Sequence, residues 1–335
     1  MYAERSPVPP KVPYVYILAA SHSGSTLLAL LLNAHPEVIS VGEIVSGSRR
    51  VVDGYRCSCR QLIAECPFWR AVAEAVRREH PEFDLADFGI RWEPESPAWL
   101  RRTLRLEHRG RLAEAARDAA LGLSSQWRRH FARTSACCVA LARTLLAQGR
   151  ARVVVDSSKL AHRLKLVRRI HDLDVKVIHL VRDGRAVALT YMDQQTYADA
   201  SDPALRRGGR GAAPAPAGGE MPMAKAADEW RRCLRSAEHA LAGVPAASWI
   251  RVTYEDLCAR PEAVRERLFD FIGVDAARAA TDFRAAEHHV VGNGMRLDTV
   301  SQIRLDERWK SVLSAQELQV FDAVAGPLNR RLGYP

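Results

Sequence analysis

The sequence predicts an α/β fold with a central parallel sheet flanked by helices. Short apolar runs of strand length recur along the chain, and most of them are followed by a helical pattern. We place these strands at residues 15–18, 152–156, 175–181 and 248–252. The runs at 152–156 and 175–181 are almost continuously apolar, as in strands that are buried on both faces. Strands that alternate with helices indicate a parallel, doubly wound sheet.

The first strand belongs to the most informative segment of the chain, residues 14–32. The loop Ser-His-Ser-Gly-Ser-Thr comes after the strand at 21–26, and a leucine-rich helix is predicted at 26–33. Gly and Ser let backbone N–H groups turn toward one point, and the start of a helix adds a positive dipole end. This layout predicts a phosphate-binding loop, with a buried strand-turn-helix without ligand as the alternative. His22 and the Ser/Thr residues interrupt the apolar run, so a membrane span is not expected.

The residues after Gly24 decide the type of loop. A nucleoside-triphosphatase loop ends in Gly-Lys-Ser/Thr, because the lysine reaches the β- and γ-phosphates, whereas this chain has Gly24-Ser25-Thr26. A dinucleotide-binding loop needs three spaced glycines, and Gly24 is the single glycine of the loop. Both common types of phosphate loop are therefore disfavoured.

Further elements are predicted along the rest of the chain. Residues 35–43, His-Pro-Glu-Val-Ile-Ser-Val-Gly-Glu, predict a turn and an extended segment. Ala-, Leu- and Arg-rich stretches at 61–79 and 98–149 have helical spacing, and we interpret residues 46–150 as a helical insertion. Residues 199–224 are rich in Gly, Pro, Ala and Arg. They predict a mobile loop, either a lid or a disordered surface insertion.

Size and composition fit one large domain. The chain has 335 residues, 47% of them hydrophobic, which suits a single domain at 13–335 behind a Pro-rich, disordered lead at 1–12. The formal charge of +10 favours an anionic ligand. No block of Lys and Arg interleaved with aromatics is present, so no nucleic-acid partner is expected. The first residues lack the apolar core of a secretory signal, which favours a cytoplasmic location without an integral membrane segment.

A second phosphate signal comes directly after the strand at 175–181. Arg182 stands at the carboxyl end of this strand, and Thr190 lies eight residues later in a helix predicted at 186–192. Ligands of parallel sheets bind at this edge, and a guanidinium can hold a phosphate with two parallel hydrogen bonds. The alternative is a surface arginine beside a helix that Asp183 caps.

The loop and the Arg182/Thr190 pair together resemble the sulfotransferases that use 3′-phosphoadenosine 5′-phosphosulfate (PAPS). The resemblance implies a P-loop-like three-layer α/β fold and transfer of a sulfuryl group from PAPS, the co-substrate, to a hydroxyl or amine acceptor. In that family the loop holds the 5′-phosphate, an Arg and a hydroxyl residue hold the 3′-phosphate, a Tyr-Glu-Asp segment lies near the adenine, and a C-terminal loop closes over the 3′-phosphate. The resemblance makes these the candidate PAPS-binding residues: His22, Ser23, Gly24, Ser25, Thr26, Arg182, Thr190, Tyr254, Asn293 and Arg296.

The catalytic candidates also come from this resemblance. The segment 35–43 is similar to the one after the phosphate loop in tyrosylprotein sulfotransferases and many bacterial relatives, where the Glu after Gly is the base. The resemblance therefore gives Glu43 that role. A lysine at the position of Lys159 stabilises charge on the bridging oxygen as the sulfuryl group leaves. His22 stands where the family usually has Lys or Arg, and we hypothesise that it stabilises the leaving 5′-phosphate.

Two other functions compete with this one. A P-loop nucleotide or small-molecule kinase would use Asp156 as a metal ligand and would need magnesium, whereas sulfuryl transfer from PAPS needs no metal. A non-catalytic polyanion-binding protein would use the charge of +10. The acceptor is not identified by any motif, so a small molecule, sugar, lipid or peptide is each compatible with the sequence.

The seven cysteines do not predict a disulfide framework, because their number is odd and their density low. Cys57, Cys59 and Cys66 form a sequence cluster of three, but a structural zinc takes four ligands. No good fourth ligand stands at ordinary spacing, and His80 is a weak candidate. We therefore expect these cysteines to pack or to shape a loop and assign no metal ligand, with a zinc or redox role as the alternative.

Overall fold

A single parallel sheet forms the centre of the molecule. The computed structural model describes residues 10–92, 111–197, 200, 202–211 and 221–335. Within them, five strands pair in the order β2-β3-β1-β4-β5, all parallel. The strands are β1 Val12–Ala19, β2 Val38–Gly42, β3 Val153–Lys159, β4 Leu173–Val181 and β5 Trp249–Thr253. The prediction of an α/β fold with a central parallel sheet is confirmed.

Helices cover both faces of this sheet. In chain order they are α1 Ser25–Leu32, α2 Ile44–Val52, α3 Pro67–Arg77, α4 Arg111–Leu123, α5 Ser125–Gly149, α6 Ala161–Val167, α7 Gly184–Met192, α8 Gln194–Tyr197, α9 Arg206–Gly209, α10 Met223–Leu241, α11 Tyr254–Ala259, α12 Pro261–Ile272, α13 Trp309–Val312 and α14 Ala315–Arg331. Short 3-10 turns lie at Pro203–Leu205, Ala246–Ser248, Ala276–Arg278 and Gly294–Leu297.

Strand β1 shows why the sheet forms where the apolar runs lie. Its side chains alternate between two cores, with Tyr14, Tyr16 and Leu18 in one and Val15 and Ile17 in the other. None of these five side chains is more than 4% exposed. The first core includes α3 and α5, and the second includes α1 and α12. A strand buried between two helical layers needs a continuous apolar run, which is the pattern that predicted it.

The insertion predicted at 46–150 is helical where the structure describes it. Helices α2 to α5 fall in or at the edge of this range, and residues 93–110 lie outside the described residues. Of the disordered lead predicted at 1–12, residues 1–9 lie outside them as well. The division into one domain with an insertion stays a prediction.

Part of the loop predicted at 199–224 is packed against the rest of the chain. Residues 212–220 lie outside the described residues. The described part contains the turn Pro203–Leu205 and α9. Gly208 lies directly on Tyr55, whose ring would be 2.4 Å from a Cβ at that glycine.

Across the described residues, no helix combines the length and the apolar character that a membrane crossing requires.

Candidate active site

A cavity of about 730 Å³ opens at the carboxyl edge of the sheet. Parallel strands end at the same edge, and ligands of α/β proteins bind there. The chain contributes to the wall of this cavity at the end of every strand of the sheet. The contributions are Ser21, His22, Gly24, Ser25 and Thr26 after β1, Glu43 after β2, Lys159 at the end of β3, Arg182 after β4 and Tyr254 after β5.

The loop between β1 and α1 is bent by two left-handed residues. His22 has a φ of 63° and Gly24 a φ of 90°. Gly24 is also the N-cap of α1, and its missing side chain leaves the N–H groups of the first helical turn open to a ligand. Among the described residues, the buried Oγ of Ser23 has no hydrogen-bond partner. A helix start with open N–H groups suits an anion.

Gly24 is required by space as well as by conformation. A Cβ at this position would lie 2.4 Å from Cδ2 of Tyr254, closer than two carbon atoms can approach. The Tyr254 ring, at the start of α11, therefore lies directly on the loop. This contact joins the Tyr-Glu-Asp segment to the predicted phosphate loop.

Replacement of Gly24 by Ala is expected to destabilise the protein. The left-handed conformation costs an L-residue about 1–2 kcal/mol, and the added Cβ must also displace Tyr254. Gly273→Ala is the matched control, because Gly273 has a φ of +92° and no atom within 4 Å of its Cβ position. Thermal unfolding should show a larger loss for Gly24→Ala than for Gly273→Ala. Equal losses would show that the contact with Tyr254 contributes nothing.

Glu43 lies between two cations in the wall of the cavity. Its Oε1 is bonded to Nζ of Lys159, and its Oε2 accepts a hydrogen bond from Nη2 of Arg50 at 3.0 Å. All three side chains are at most 19% exposed. Burial alone would raise the pKa of Glu43, but Lys159 and Arg50 outweigh it and lower the pKa to about 2. Glu43 is therefore ionised, and able to accept a proton, at neutral pH.

Lys159 is positioned by a buried polar network. It ends β3 with a left-handed φ of 69°. Three residues earlier, Asp156 is fully buried. The Asp156 carboxylate accepts hydrogen bonds from the Tyr14 hydroxyl at 2.8 Å, from the backbone N–H of Ser158 at 2.8 Å and from Nε of Arg163 at 3.2 Å. These bonds fix the turn that directs Lys159 into the cavity.

Arg182 is a buried cation at an aromatic face. Its Cζ lies 4.4 Å from the centroid of the Tyr254 ring. Nη1 donates to the carbonyl oxygen of His22 at 2.9 Å, and Nη2 donates to Oδ2 of Asp306 at 3.0 Å. Burial would raise the pKa of Asp306, but Arg308 and Arg182 lower it below its usual range. Among the described residues, Nε of Arg182 is buried without a partner. The guanidinium suits a phosphate, and the aromatic ring beside it suits the base of a nucleotide.

Residues 291–293 close one side of the cavity. The backbone N–H of Glu43 donates to the carbonyl oxygen of Val291 at 2.9 Å. The backbone N–H of Asn293 donates to Oγ1 of Thr26 at 3.4 Å. This C-terminal segment therefore touches both the phosphate loop and the carboxylate-bearing end of β2.

The structure brings most of the predicted site residues together. Nine line the cavity: His22, Gly24, Ser25, Thr26, Glu43, Lys159, Arg182, Tyr254 and Asn293. The other three, Ser23, Thr190 and Arg296, are buried behind its wall. The hydroxyl of Thr190 donates to the carbonyl oxygen of Ala186 at 3.0 Å, and the guanidinium of Arg296 donates to the carbonyl oxygens of Gly292 and Arg56. Thr190 and Arg296 would have to exchange these bonds to contact a ligand.

The wall of the cavity is basic. Its cations are Arg50, Lys159, Arg182, Arg284, Arg304 and Arg308, and its acids are Glu43, Asp298 and Asp306. This excess of positive charge suits a ligand with several negative charges. Arg50 was not among the predicted residues, although it stands seven residues after Glu43, two helical turns along the same face. Arg284, Arg304 and Arg308 gave no such signal, because regular periodicity is missing from that segment.

Comparison with protein families matches residues 13–278 to the sulfotransferase family. No curated protein matches the chain. Among solved structures, it is similar to the sulfotransferase domain from the curacin biosynthetic pathway, with 17% identity and a TM-score of 0.46 over 97% of this chain and 99% of that one. It is similar to the sulfotransferase domain of the Synechococcus PCC 7002 olefin synthase, with 19% identity and a TM-score of 0.44 over 96% and 98% of the two chains. Sulfotransferase STF9 from Mycobacterium avium has 13% identity and a TM-score of 0.46 over 98% of this chain and 78% of its own.

Proposed function

The chain belongs to the sulfotransferase family, and from that premise we propose that it transfers a sulfuryl group from PAPS to an acceptor hydroxyl or amine. The observation that supports PAPS as the donor is a basic cavity with two separate anion sites. One is the loop 21–26 at the start of α1, and the other is Arg182 over the Tyr254 ring. PAPS carries phosphate at both its 5′ and its 3′ position, so it needs two such sites.

We assign the 5′-phosphosulfate to the loop and the 3′-phosphate to Arg182. Tyr254 touches both sites, since its ring lies against Gly24 and under the guanidinium of Arg182. It is therefore placed to contact the nucleoside between the two phosphates. Asp306 accepts a hydrogen bond from Arg182. A phosphate would take over that hydrogen bond, because it accepts the same donors with more negative charge.

Glu43 is the proposed general base. Its carboxylate accepts the proton of the acceptor hydroxyl while the acceptor oxygen forms a bond to sulfur. The bond between sulfur and the bridging phosphate oxygen breaks, and its electron pair stays on the departing 3′,5′-diphosphoadenosine (PAP). The acceptor must reach Glu43 on the side of the sulfur opposite the leaving oxygen, as in-line transfer of a phosphoryl group also requires.

Lys159 couples proton transfer to departure of the leaving group. Its ammonium is bonded to Glu43. We assign it to the bridging oxygen during transfer, where it neutralises the developing negative charge. When the ammonium of Lys159 moves from Glu43 toward the bridging oxygen, the Glu43 carboxylate loses a neighbouring positive charge. It thereby becomes a stronger base.

His22 is the proposed donor to the leaving 5′-phosphate. It lies in the wall of the cavity, and its ring packs edge-on against Tyr191 with 5.6 Å between the centroids. Its carbonyl oxygen accepts a hydrogen bond from Arg182, so the backbone of His22 connects the two anion sites. An imidazole supplies a hydrogen bond in either protonation state and a positive charge when protonated.

Asp156 provides no support for a kinase. A magnesium ligand must reach the phosphates of the nucleotide, but Asp156 is 0% exposed and is absent from the cavity wall. Its oxygens are already occupied by donors from Tyr14, Ser158 and Arg163. Its position is that of a structural carboxylate beneath Lys159.

Thermal unfolding with PAP and with ATP–Mg tests the proposed donor. At about 100 times its Kd, a ligand stabilises the folded state by roughly 2.7 kcal/mol. PAP is expected to raise the Tm in buffer without magnesium, and ATP–Mg is expected to have the smaller effect. A shift with ATP–Mg and none with PAP would contradict the proposal.

A further inference from the structure

Four potential metal ligands meet outside the cavity. They are Cys57, Cys59, Cys66 and His289, whose ligand atoms all lie within 4.8 Å of one another. The three cysteines stand close together in the sequence, but no fourth ligand stands near them. The structure provides it from the far end of the chain, whereas His80 stands apart with its Nδ1 4.0 Å from a carboxylate oxygen of Glu82.

Three of the six distances between these ligand atoms are close to those of a tetrahedral site. Sγ of Cys59 lies 3.6 Å from Sγ of Cys66, and Nδ1 of His289 lies 3.4 Å from Sγ of Cys66 and 3.7 Å from Sγ of Cys57. With Zn–S about 2.3 Å and Zn–N about 2.0 Å, a tetrahedron places two sulfurs roughly 3.8 Å apart and sulfur and nitrogen roughly 3.5 Å apart. We propose that these four side chains bind one zinc ion.

The histidine is held in the orientation that such a site needs. Its Nε2 lies 3.1 Å from Oε1 of Glu287, and its ring is stacked on Phe68, with centroids 4.3 Å apart and planes 5° apart. A carboxylate on the outer nitrogen fixes the tautomer that leaves Nδ1 to the metal, an arrangement common around protein zinc. The ring therefore directs Nδ1 toward the sulfurs and its other nitrogen away from them.

The side chain of Ser58 holds the cysteine loop against the backbone of the same C-terminal segment. Ser58 lies between two of the ligands, and its Oγ donates to the carbonyl oxygen of His288 at 2.6 Å and accepts from the backbone N–H of Val290 at 2.8 Å. The residues on both sides of His289 are thus bonded to the loop that carries Cys57 and Cys59. The ligands are brought together by this pairing and not by the metal alone.

Four protein ligands leave no open position, so the zinc is structural. It would tie residues 57–66, at the start of the helical insertion, to the C-terminal segment at His289. Two residues further on, Val291 accepts the backbone hydrogen bond of Glu43. The metal therefore anchors the segment that fixes Glu43 and closes one side of the cavity. None of the four ligands lines that cavity.

Metal analysis of the full chain tests this site. The protein is purified under reducing conditions without chelator, dialysed against metal-free buffer, and analysed for zinc by mass spectrometry. We expect about one zinc per chain. Exchange with cobalt should produce the intense visible bands of a tetrahedral thiolate site. Zinc content near zero together with no cobalt spectrum would overturn the proposal.

Substitutions locate the ion. Cys59→Ser and His289→Ala should each lower the zinc content several-fold, while Cys233→Ser, outside the cluster, should keep it at the wild-type ratio. Zinc that stays at one per chain in both ligand variants would place the ion elsewhere and overturn the assignment. If the ligand variants do not fold, the cobalt spectrum of the wild type decides. These measurements need neither donor nor acceptor, so they stand or fall separately from the proposed sulfuryl transfer.

Discussion

Glu43→Gln is expected to reduce turnover by about 10²–10⁴-fold, the usual contribution of a general base, and to leave PAP binding unchanged. Glutamine keeps the shape of the side chain and an oxygen that accepts hydrogen bonds from Lys159 or Arg50, but it cannot take a proton. Turnover is measured as release of PAP from PAPS in the presence of phenol, sugar and peptide hydroxyl acceptors. Binding is measured by calorimetry with PAP.

Glu37→Gln is the matched control, because it changes a second glutamate of the same segment. Glu37 pairs with Arg152 and Arg278 and is absent from the wall of the cavity. The turnover of the Glu37→Gln variant should equal that of the wild type. Turnover that survives in Glu43→Gln would assign the role of base to another group.

The pH profile provides a second readout for Glu43. Because the pKa of Glu43 is about 2, the carboxylate remains ionised in the free enzyme until the pH falls through that value. A general base is lost only when it is protonated, and kcat/KM reports the protonation state of the free enzyme. Glu43 should therefore cause no loss of kcat/KM between about pH 8 and about pH 5. An acidic limb in kcat alone would report the higher pKa of Glu43 once Lys159 has turned to the substrate.

The strands of the sheet could be predicted from sequence because they depend on short-range patterns, whereas most residues of the cavity wall came from the resemblance to PAPS-dependent sulfotransferases. A strand buried on both faces requires a continuous apolar run, as at 175–181. The residue directly after such a run must lie at the ligand-binding edge of a parallel sheet. Arg182 directly follows the run at 175–181 and is therefore expected at this edge. Lys159 stands three residues after the run at 152–156, and its role came from the resemblance to the sulfotransferases.

Contacts that depend on distant chain segments could not be predicted in this way. His289 joins Cys57 and Cys66 across more than 220 residues, and periodicity carries no information about such a meeting. Thr190 illustrates a different limit. Its spacing from Arg182 places it on the helix that follows β4. The direction of its hydroxyl is set by a hydrogen bond to the carbonyl oxygen four residues earlier, which the spacing does not predict.

The two cations proposed to contact PAPS are each paired with a carboxylate. Lys159 is bonded to Glu43 and Arg182 to Asp306. A buried cation without a counter-charge would be costly, so each carboxylate stabilises the cation beside it. In both pairs the incoming anion replaces a carboxylate as the partner of the cation. At Lys159 this exchange also frees the Glu43 carboxylate to act as the base.

Arg182→Ala is expected to weaken PAP binding by roughly 10- to 100-fold, because hydrogen bonds to a charged group contribute about 1.5–3 kcal/mol. The loss should be specific to the 3′-phosphate. Adenosine 5′-monophosphate, which lacks that group, should bind the variant about as well as it binds the wild type. Calorimetry with both nucleotides separates a lost phosphate contact from a damaged site, since general damage weakens both.

Arg185→Ala is the control for this variant. Arg185 lies on the same helix start, but it pairs with Asp183 and stacks on Trp309, and it does not line the cavity. The Arg185→Ala variant should prefer PAP over adenosine 5′-monophosphate to the same extent as the wild type. An Arg182→Ala variant that keeps the full preference would place the 3′-phosphate against other cations of the wall, with Arg284, Arg304 and Arg308 the next to replace. Loss of the preference in Arg182→Ala alone would support the proposal that the 3′-phosphate binds Arg182 in place of the Asp306 carboxylate.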